Sequence, residues 1–450
     1  MIVAPGLIRG TSRYTRGRQI FSQLNPTRYV SPGVLASPFT ITRAQAAGVE
    51  SSGLGSDGVT WNLYGADTAR FFGTDQWLAI EGQRVNSIRN PRGEGAVVGT
   101  PGTLPTNWTS AVAAGLSREI VGTGVEDGLP YVDIRIFGTP TAATASTIVG
   151  FQSPSISVGS NLGAEFSHFT KLVGGTLTNV DSLVTVFAFS GASFTAALLA
   201  PTSASLGTQR RGYVLAIPTG TTALSMTLRF APIIGAPVDF TFRVAAPQIS
   251  LIAASLTPPA NNPLLTPILP PVGAINTSTR GQDNISAALG DLGLSNLAQG
   301  TGCTVLWAGD FFATNFNGQQ TIVAIDDDVA QNRFELRLGR QGELELIQAI
   351  AGVFSPDSVR PALVPPNRLI RAGMSVGPNG EVSGVFNGFN NDVAISYGSA
   401  TITNALTTLR LGGSGTGAAR PLTGTTRALY VAPTALSATD LSAALMAMPV

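Results

Sequence analysis

The sequence is short of charge, cysteine and histidine. Charged residues make up 12% of the 450 residues, and the basic and acidic side chains nearly cancel to a net charge of +1. No run of Lys or Arg forms a stripe that could follow a phosphate backbone, so we expect no nucleic-acid partner. The single cysteine, Cys303, allows no disulfide bond within the chain, which excludes a small disulfide-stapled secreted scaffold.

Long apolar runs and an export signal are missing as well. Proline, glycine, threonine or a charged residue interrupts every candidate membrane span, including residues 251–275, so we expect no membrane insertion. The N-terminal residues show no charged segment followed by a long apolar one, and we expect no Sec signal peptide. Lys171 is the only lysine among 27 basic residues, which is typical of a GC-rich bacterial genome. We therefore expect assembly in the bacterial cytoplasm.

Glycine and proline are abundant, at 52 and 29 residues, and they interrupt the chain too often for long helices. Between them lie short runs that alternate apolar and polar residues, as strands with one buried face do. Val132, Ile134 and Ile136, for example, alternate with Asp133 and Arg135. The sequence therefore predicts an all-β fold of two β-sandwich (jelly-roll) domains, joined by a proline-rich linker and preceded by an N-terminal docking arm.

Four regions follow from this pattern. Residues 1–85 combine weak apolar alternation with several arginines and a few strand-like runs, so we predict an arm and a small β-element for attachment and oligomerisation. Residues 86–256 and 286–450 each carry enough alternating runs for one β-sandwich. Prolines crowd the start of residues 257–285, which precludes a helix or a central strand and predicts an extended linker.

Two short helices are expected within the second sandwich region. One is predicted at residues 286–298, where apolar residues recur without strict alternation. The other is predicted at residues 440–448, with Thr439 or Asp440 as its N-cap.

Several stretches resemble phage structural proteins that carry carbohydrate-binding-module-like sandwiches. Residues 77–86 (WLAIEGQRVN) are similar to the signature that precedes such modules. Residues 90–108 are similar to the N-terminal part of the module, and residues 246–249 and 266–270 are similar to its C-terminal end. The second sandwich is similar to the concanavalin A-like or laminin-G-like fold, in an ordered set of short matches at 409–412, 422–424, 427–430 and 435–441.

This pairing of domains resembles the head spikes and tail fibres of phages and gene transfer agents. The resemblance implies a virion protein on the surface of a phage-like particle, which adsorbs to host cells by binding their surface or capsular polysaccharide. The low charge and the arginine-bearing arm indicate a homo-oligomer, a trimer or a vertex-symmetric assembly, anchored to a capsid, spike-base or tail protein through residues 1–60. The alternatives are a purely structural decoration or assembly protein without a glycan site, and a polysaccharide depolymerase.

Hydrolysis of a polysaccharide needs two carboxyl groups about 5–10 Å apart. A Ser-His-Asp triad would have to use His168, the only histidine, which lies between Phe166 and Phe169 in a strand-like run and is typical of a structural residue. We therefore predict that the protein is not an enzyme. The candidate carboxylates lie in no recognisable catalytic signature: they are Glu126, Asp127, Glu165, Glu343, Glu345 and Asp357.

Sugar recognition requires aromatic faces that stack on C–H groups, with polar side chains that satisfy the hydroxyls. In the first sandwich Trp108 and Tyr131 are the aromatic residues nearest to polar neighbours, and in the second sandwich two loops are rich in amides. We predict that the glycan contacts come from Trp108, Tyr131, Asn315, Asn317, Gln319, Asn387, Asn390, Asn391 and Asp392.

Asp326, Asp327 and Asp328 form the densest acidic cluster, directly after an apolar strand. With the nearby amides of Gln331 and Asn332 they could form a calcium site, although their spacing is not that of an EF-hand loop. Three adjacent carboxylates in a turn are equally compatible with a solvated loop, which is the interpretation we favour. We expect no cofactor, with calcium at these aspartates as the one candidate.

Overall fold

The computed structural model describes the chain from residue 5 to residue 450, apart from 143–145, 154, 162, 191, 198–201, 253–265, 295–296, 298–300, 312–318, 329–330, 340–342, 360–368, 388–392, 398–405 and 415–420. Within these described residues there are 32 β-strands and two α-helices. The prediction of an all-β fold is therefore confirmed. Neither described helix is long and apolar enough to cross a bilayer.

The strands are mostly short, because turn-forming glycines and prolines separate them. The first half of the chain forms α1 (Pro5–Leu24), β1 (Thr27–Ser31), β2 (Val34–Leu35), β3 (Thr40–Thr42), β4 (Glu50–Leu54), β5 (Trp61–Tyr64), β6 (Arg70–Phe72), β7 (Trp77–Ile80), β8 (Arg84–Asn86), β9 (Thr109–Ala111), β10 (Leu116–Glu126), β11 (Leu129–Gly138), β12 (Ser146–Gly150), β13 (Ile156–Ser157), β14 (Gly163–Thr176), β15 (Val180–Phe189) and β16 (Ala192–Ala197). The second half forms a 3-10 turn (Leu206–Thr208), β17 (Arg210–Ala216), β18 (Ala223–Pro232), β19 (Val238–Ile252), β20 (Ile268–Leu269), β21 (Ser278–Arg280), β22 (Asn284–Ala288), β23 (Cys303–Phe311), β24 (Gln320–Asp326), β25 (Arg333–Leu338), β26 (Leu344–Ile350), β27 (Val353–Val359), β28 (Ile370–Val376), β29 (Val382–Asn387), β30 (Val393–Tyr397), β31 (Thr408–Leu411), β32 (Gly424–Ala432) and α2 (Ala438–Ala447).

The chain divides into two compact units, each assembled from separate stretches of sequence. Unit 1 comprises Met1–Arg43, Asp67–Gln83 and Gln282–Val450, and unit 2 comprises Ala44–Ala66 and Arg84–Gly281. The N-terminal region therefore forms no module of its own, in contrast to the separate region predicted from the sequence. Its strands β1, β3, β6 and β7 join sheets of unit 1, whereas β4, β5 and β8 join sheets of unit 2.

Unit 1 is a sandwich of two antiparallel sheets. One has the order β2-β1-β32-β23-β28-β29-β30, with β7 paired to β32 and β6 paired to β7, and the other has the order β27-β26-β25-β24-β31-β22-β3. Their inner faces share one core, to which Trp307 and Met374 contribute from the first sheet and Phe334 from the second. The outer face of the first sheet is covered by the two helices, since Leu24 and Leu445 pack there.

Unit 2 is a second sandwich of antiparallel sheets. A five-stranded sheet, β10-β11-β19-β14-β17, packs on a six-stranded sheet, β16-β15-β18-β12-β9, with β13 beside β18. Ile134, Phe166 and Phe242 from the first sheet meet Phe187 and Leu228 from the second in a common core. The strong alternation of apolar residues in these strands accounts for their formation.

Part of the predicted linker 257–285 is paired with strands of unit 2. Residues 253–265, which hold its first prolines, lie outside the described residues. After them β20 pairs with β4, and β21 pairs with β8. The described part of this region is therefore built into small sheets and is not an extended spacer.

The helices differ from the sequence-based expectation in three ways. The predicted helix at 286–298 is wrong at its start, because residues up to 288 belong to β22, which pairs with β31 through its alternating apolar positions. The C-terminal helix is confirmed, but its N-cap is Ser437, whose hydroxyl accepts a hydrogen bond from the backbone N–H of Asp440. Helix α1 has no counterpart among the predictions.

Candidate functional site

The outer face of the five-stranded sheet of unit 2 carries a dense array of charged and aromatic side chains. Alternation along β11 produces it: Val132, Ile134 and Ile136 are at most 1% exposed in the core, so the residues between them point outward. We call this surface the arginine face and define it by Glu119, Glu126, Tyr131, Asp133, Arg135, Phe137, Lys171, Asp239 and Arg243.

The first half of the arginine face is centred on Arg243 of β19. Its Nε and Nη2 donate hydrogen bonds to Oδ1 and Oδ2 of Asp133, at 2.9 and 2.8 Å, and its Nη1 donates to Oε2 of Glu126 at 2.5 Å. Lys171 Nζ donates to Oε1 of the same glutamate at 2.6 Å. The guanidinium carbon lies 3.5 Å from the ring centroid of Tyr131. The arginine is thereby held in one orientation.

The second half repeats this arrangement around Arg135 of β11. Its Nε and Nη2 each donate to one oxygen of Asp239 at 2.8 Å, and its Nη1 donates to Oε2 of Glu119 at 3.0 Å. The guanidinium carbon lies 4.6 Å from the ring centroid of Phe137. Each arginine therefore holds a bidentate aspartate, a glutamate from β10 and an aromatic ring from β11.

The cations of the arginine face favour the ionised forms of Asp239 and Glu126. Hydrogen bonds from Arg135 lower the pKa of Asp239 below its usual value. Burial opposes ionisation of Glu126, but hydrogen bonds from Lys171 and Arg243 outweigh it and lower its pKa. The bidentate aspartates in turn raise the pKa values of both arginines.

The arginine face is open to solvent around Arg135, whereas the side chains around Arg243 are only 10–19% exposed. The side chains of Arg135 and Asp239 are 36% and 56% exposed. Gly124 lies beside Tyr131, where a Cβ atom would come within 2.7 Å of the phenolic oxygen, so a glycine is needed for the ring to lie over β10. Carboxylates with remaining lone pairs, held beside aromatic rings on an exposed sheet, are the groups that bind sugar hydroxyls and C–H faces.

Tyr131 is the predicted glycan residue that the structure places on this face. Trp108 lies elsewhere: it is 6% exposed, its indole N–H donates to the carbonyl oxygen of Asn90 at 3.0 Å, and its ring packs edge-on against Phe151. A tryptophan in this environment stabilises the core of unit 2 and has no face free to stack on a sugar.

The remaining predicted glycan residues belong to unit 1. Gln319 lies at the start of β24, where its amide nitrogen is 3.5 Å from Oε2 of Glu345. Of Asn387 only the backbone, at the end of β29, is described. Five predicted residues lie outside the described residues, together with the loops that carry them: Asn315, Asn317, Asn390, Asn391 and Asp392.

The predicted calcium ligands have protein partners. Asp326 is fully buried and accepts a hydrogen bond from Arg410 Nε at 2.9 Å, and Asp328 accepts hydrogen bonds from Thr408 and from Arg410. Asp327 accepts hydrogen bonds from the backbone and the side chain of Asn332. No group of three or more His, Cys, Asp or Glu side chains suited to a metal occurs among the described residues. The solvated turn that we favoured does not describe Asp326, which is buried and paired with Arg410, and calcium at these aspartates stays an untested candidate.

Several of the carboxylates considered for catalysis are paired with cations or donors. Glu345 is held by Arg337, and Asp127 accepts a hydrogen bond from the backbone N–H of Gly207 at 2.9 Å. His168 is 1% exposed in unit 2, with its ring nitrogens 2.7 Å from the hydroxyl of Thr170 and 3.1 Å from that of Thr185. It occupies a structural position in the core.

The solved structures that resemble parts of this chain are β-sandwich domains. A carbohydrate-binding module (CBM40) of the IT-sialidase of Ruminococcus gnavus, bound to α2,3-sialyllactose, is 15% identical, covers 34% of this chain and 86% of its own, and has a TM-score of 0.28. Domain 4 of an extracellular GH43 arabinanase of Geobacillus stearothermophilus, in complex with arabinotriose, is 16% identical, with coverages of 36% and 73% and a TM-score of 0.25.

A heptameric SAP-like pentraxin of Limulus polyphemus is 15% identical, covers 32% of this chain and 69% of its own, and has a TM-score of 0.24. At these scores the likenesses carry no conclusion about what this chain binds. No protein-family model matches the chain, and no curated protein matches it in sequence.

Proposed function

We propose that this chain is a non-catalytic glycan-binding subunit on the surface of a phage-like particle, which mediates adsorption to cells that carry surface or capsular polysaccharide. The observation that carries the binding part is the arginine face. Its two aspartates are fixed by bidentate arginines and its two glutamates by hydrogen bonds from cations before any ligand arrives, so little side-chain entropy is lost on binding. The particle part rests on the resemblance of residues 77–86 and 90–108 to phage proteins.

We also propose that the chain does not hydrolyse the polysaccharide that it binds. On the arginine face Asp239 and Glu126 accept hydrogen bonds from cations, which favour their ionised forms. A glycosidase needs one carboxyl group that stays protonated as the general acid. Carboxylates lowered in pKa by arginine, such as Asp239 and Glu126, are unsuited to that role.

Retention on capsule-bearing cells tests the proposal. The purified full chain is incubated with a capsule-bearing strain and with its capsule-free derivative, and the bound fraction is measured after washing. We expect retention on the first strain only, at least a tenfold loss for the double variant Arg135→Ala/Phe137→Ala, and no new reducing ends in the polysaccharide.

Arg16→Ala is the matched control, because Arg16 lies on α1 of unit 1 with a side chain that is 60% exposed. Equal retention of the native chain on both strains contradicts the glycan proposal. Equal retention of the double variant and the native chain on the capsule-bearing strain would show that the arginine face is not the glycan-binding site.

A further inference from the structure

We propose that the arginine face selects neutral, hydroxyl-rich polysaccharide and rejects acidic polysaccharide. This inference rests on the proposed glycan-binding function and adds the substrate class. The inference is based on the hydrogen bonds that already join each cation of the face to carboxylates of the same face.

All three nitrogens of each guanidinium on this face are engaged. For Arg243 the acceptors are both oxygens of Asp133 and one of Glu126, and for Arg135 they are both oxygens of Asp239 and one of Glu119. Of the five N–H donors of each guanidinium, three are used by the carboxylates of the face, and the aspartate takes the Nε/Nη2 pair. An acidic sugar that is to bind this pair side-on would have to displace the fixed aspartate.

The remaining cation on the face is engaged as well. Lys171 Nζ lies 2.6 Å from Glu126, and its side chain is 16% exposed. The face thus holds three cations, Arg135, Lys171 and Arg243, against four carboxylates, and so carries one net negative charge. A polyanion is repelled by this balance, whereas a neutral polymer is not.

The carboxylates have acceptor capacity left for neutral sugars. A carboxylate offers about four lone-pair sites, and those of Asp239 are partly used by Arg135 while the side chain stays 56% exposed. Sugar hydroxyls can donate to these sites without displacing the arginine. The charge of each acceptor makes such hydrogen bonds stronger than those to neutral acceptors.

A panel of polysaccharides tests the selection. Affinity electrophoresis of the full chain is run through gels that contain neutral polymers (dextran, galactomannan, mannan) or acidic polymers (alginate, hyaluronate, polysialic acid), at 20 and 500 mM NaCl. We expect retardation by at least one neutral polymer, with less than a twofold change in affinity between the two salt concentrations, and none by the acidic polymers.

The variant Asp239→Asn removes one negative charge beside Arg135, and we expect at least one acidic polymer to retard it at 20 mM NaCl under conditions where the native chain is not retarded. Asp181→Asn is the matched control, because Asp181 is an exposed carboxylate on the other sheet of unit 2. Near-ultraviolet circular dichroism confirms that both variants are folded.

Retardation of the native chain by acidic polymers, alone or together with neutral ones, overturns the selection and leaves the proposed function standing. If no polymer retards the chain and capsule-bearing cells also fail to retain it, both the selection for neutral polysaccharide and the proposed glycan-binding function are wrong. Absence of retardation with retention on those cells overturns the selection alone.

Discussion

Arg43 and Asp283 form an ion pair in unit 1 in which both side chains are fully buried. Arg43 Nε lies 2.6 Å from Oδ1 of the aspartate, and the other aspartate oxygen accepts a hydrogen bond from Arg70 at 2.7 Å. Arg70 also pairs with Glu81 at 2.7 Å. Burial opposes the charge of Arg70, but Asp283 and Glu81 raise its pKa. Four charges from distant parts of the sequence thus balance in one buried cluster.

Replacing one member of this buried cluster is expected to lower the free energy of unfolding of unit 1. In the variant Asp283→Ala, two buried guanidinium groups lose their shared carboxylate, which costs about 3–5 kcal/mol of unfolding free energy. Urea unfolding followed by circular dichroism measures the loss. Arg16→Ala, which breaks an exposed pair with Asp440, is the control and should cost less than about 1 kcal/mol. Similar losses of unfolding free energy in Asp283→Ala and Arg16→Ala would contradict a stabilising role of the buried cluster.

His168 is expected to make the protein less stable in mild acid. Burial, with a smaller contribution from the charge of Arg211, lowers the pKa of its imidazole from 6.5 to about 3. Between these values the unfolded chain binds a proton that the folded chain does not, so stability is complete above pH 6.5 and falls as the pH is lowered towards 3. The loss between pH 7 and pH 5 is about 2 kcal/mol.

Urea midpoints of the native chain and of His168→Gln at pH 7, 6 and 5 check this. The variant is expected to be less stable at pH 7 but to lose less stability towards pH 5. Carboxylates contribute equally to both proteins, so the difference between the two slopes reports on the histidine. Parallel slopes would show that the imidazole is not kept neutral by the fold.

Trp108 is expected to matter for stability and not for sugar binding. The variant Trp108→Phe removes the indole donor to the buried carbonyl of Asn90, which keeps only the backbone N–H of Gly93 at 3.3 Å, and is expected to lose about 1 kcal/mol. Polysaccharide retardation of the folded variant should match the native chain. Tyr131→Phe keeps a ring on the arginine face and serves as the stability control, with an expected loss below about 0.5 kcal/mol. If the polysaccharide retards Trp108→Phe less than the native chain, Trp108 contributes to sugar binding after all.

Strand positions were predictable wherever alternation was strict. The sequence pattern predicts strands at 333–338, 370–376 and 408–411, and β25, β28 and β31 have these bounds, because alternate residues in each are apolar and a glycine follows. Helix α1 was not predictable from local sequence, because Gly6, Gly10 and Gly17 lower its helix propensity. A Cβ atom at Gly17 would come within 2.2 Å of the carbonyl oxygen of Ala443, so this glycine is required by the packing of α1 on α2.

The candidate site was predictable only in part. The alternation of Asp133 and Arg135 with apolar neighbours shows which face of β11 is wet. Their partners Arg243 and Asp239 are about a hundred residues away, and no local pattern links them, so the paired clusters were missed. The outward positions 239 and 243 on a second strand with the same alternation were the available signal.

The pairing of β1 with β32 has a consequence for the order of events during synthesis. Thr27 lies opposite Val431, so a strand near the start of the chain must wait for one near its end before their shared sheet can form. Every strand of unit 2 has meanwhile left the ribosome, since that unit is complete at Gly281. The nested unit can fold on the nascent chain, whereas β1 of the other unit stays without its β32 partner until residues 424–432 have been translated.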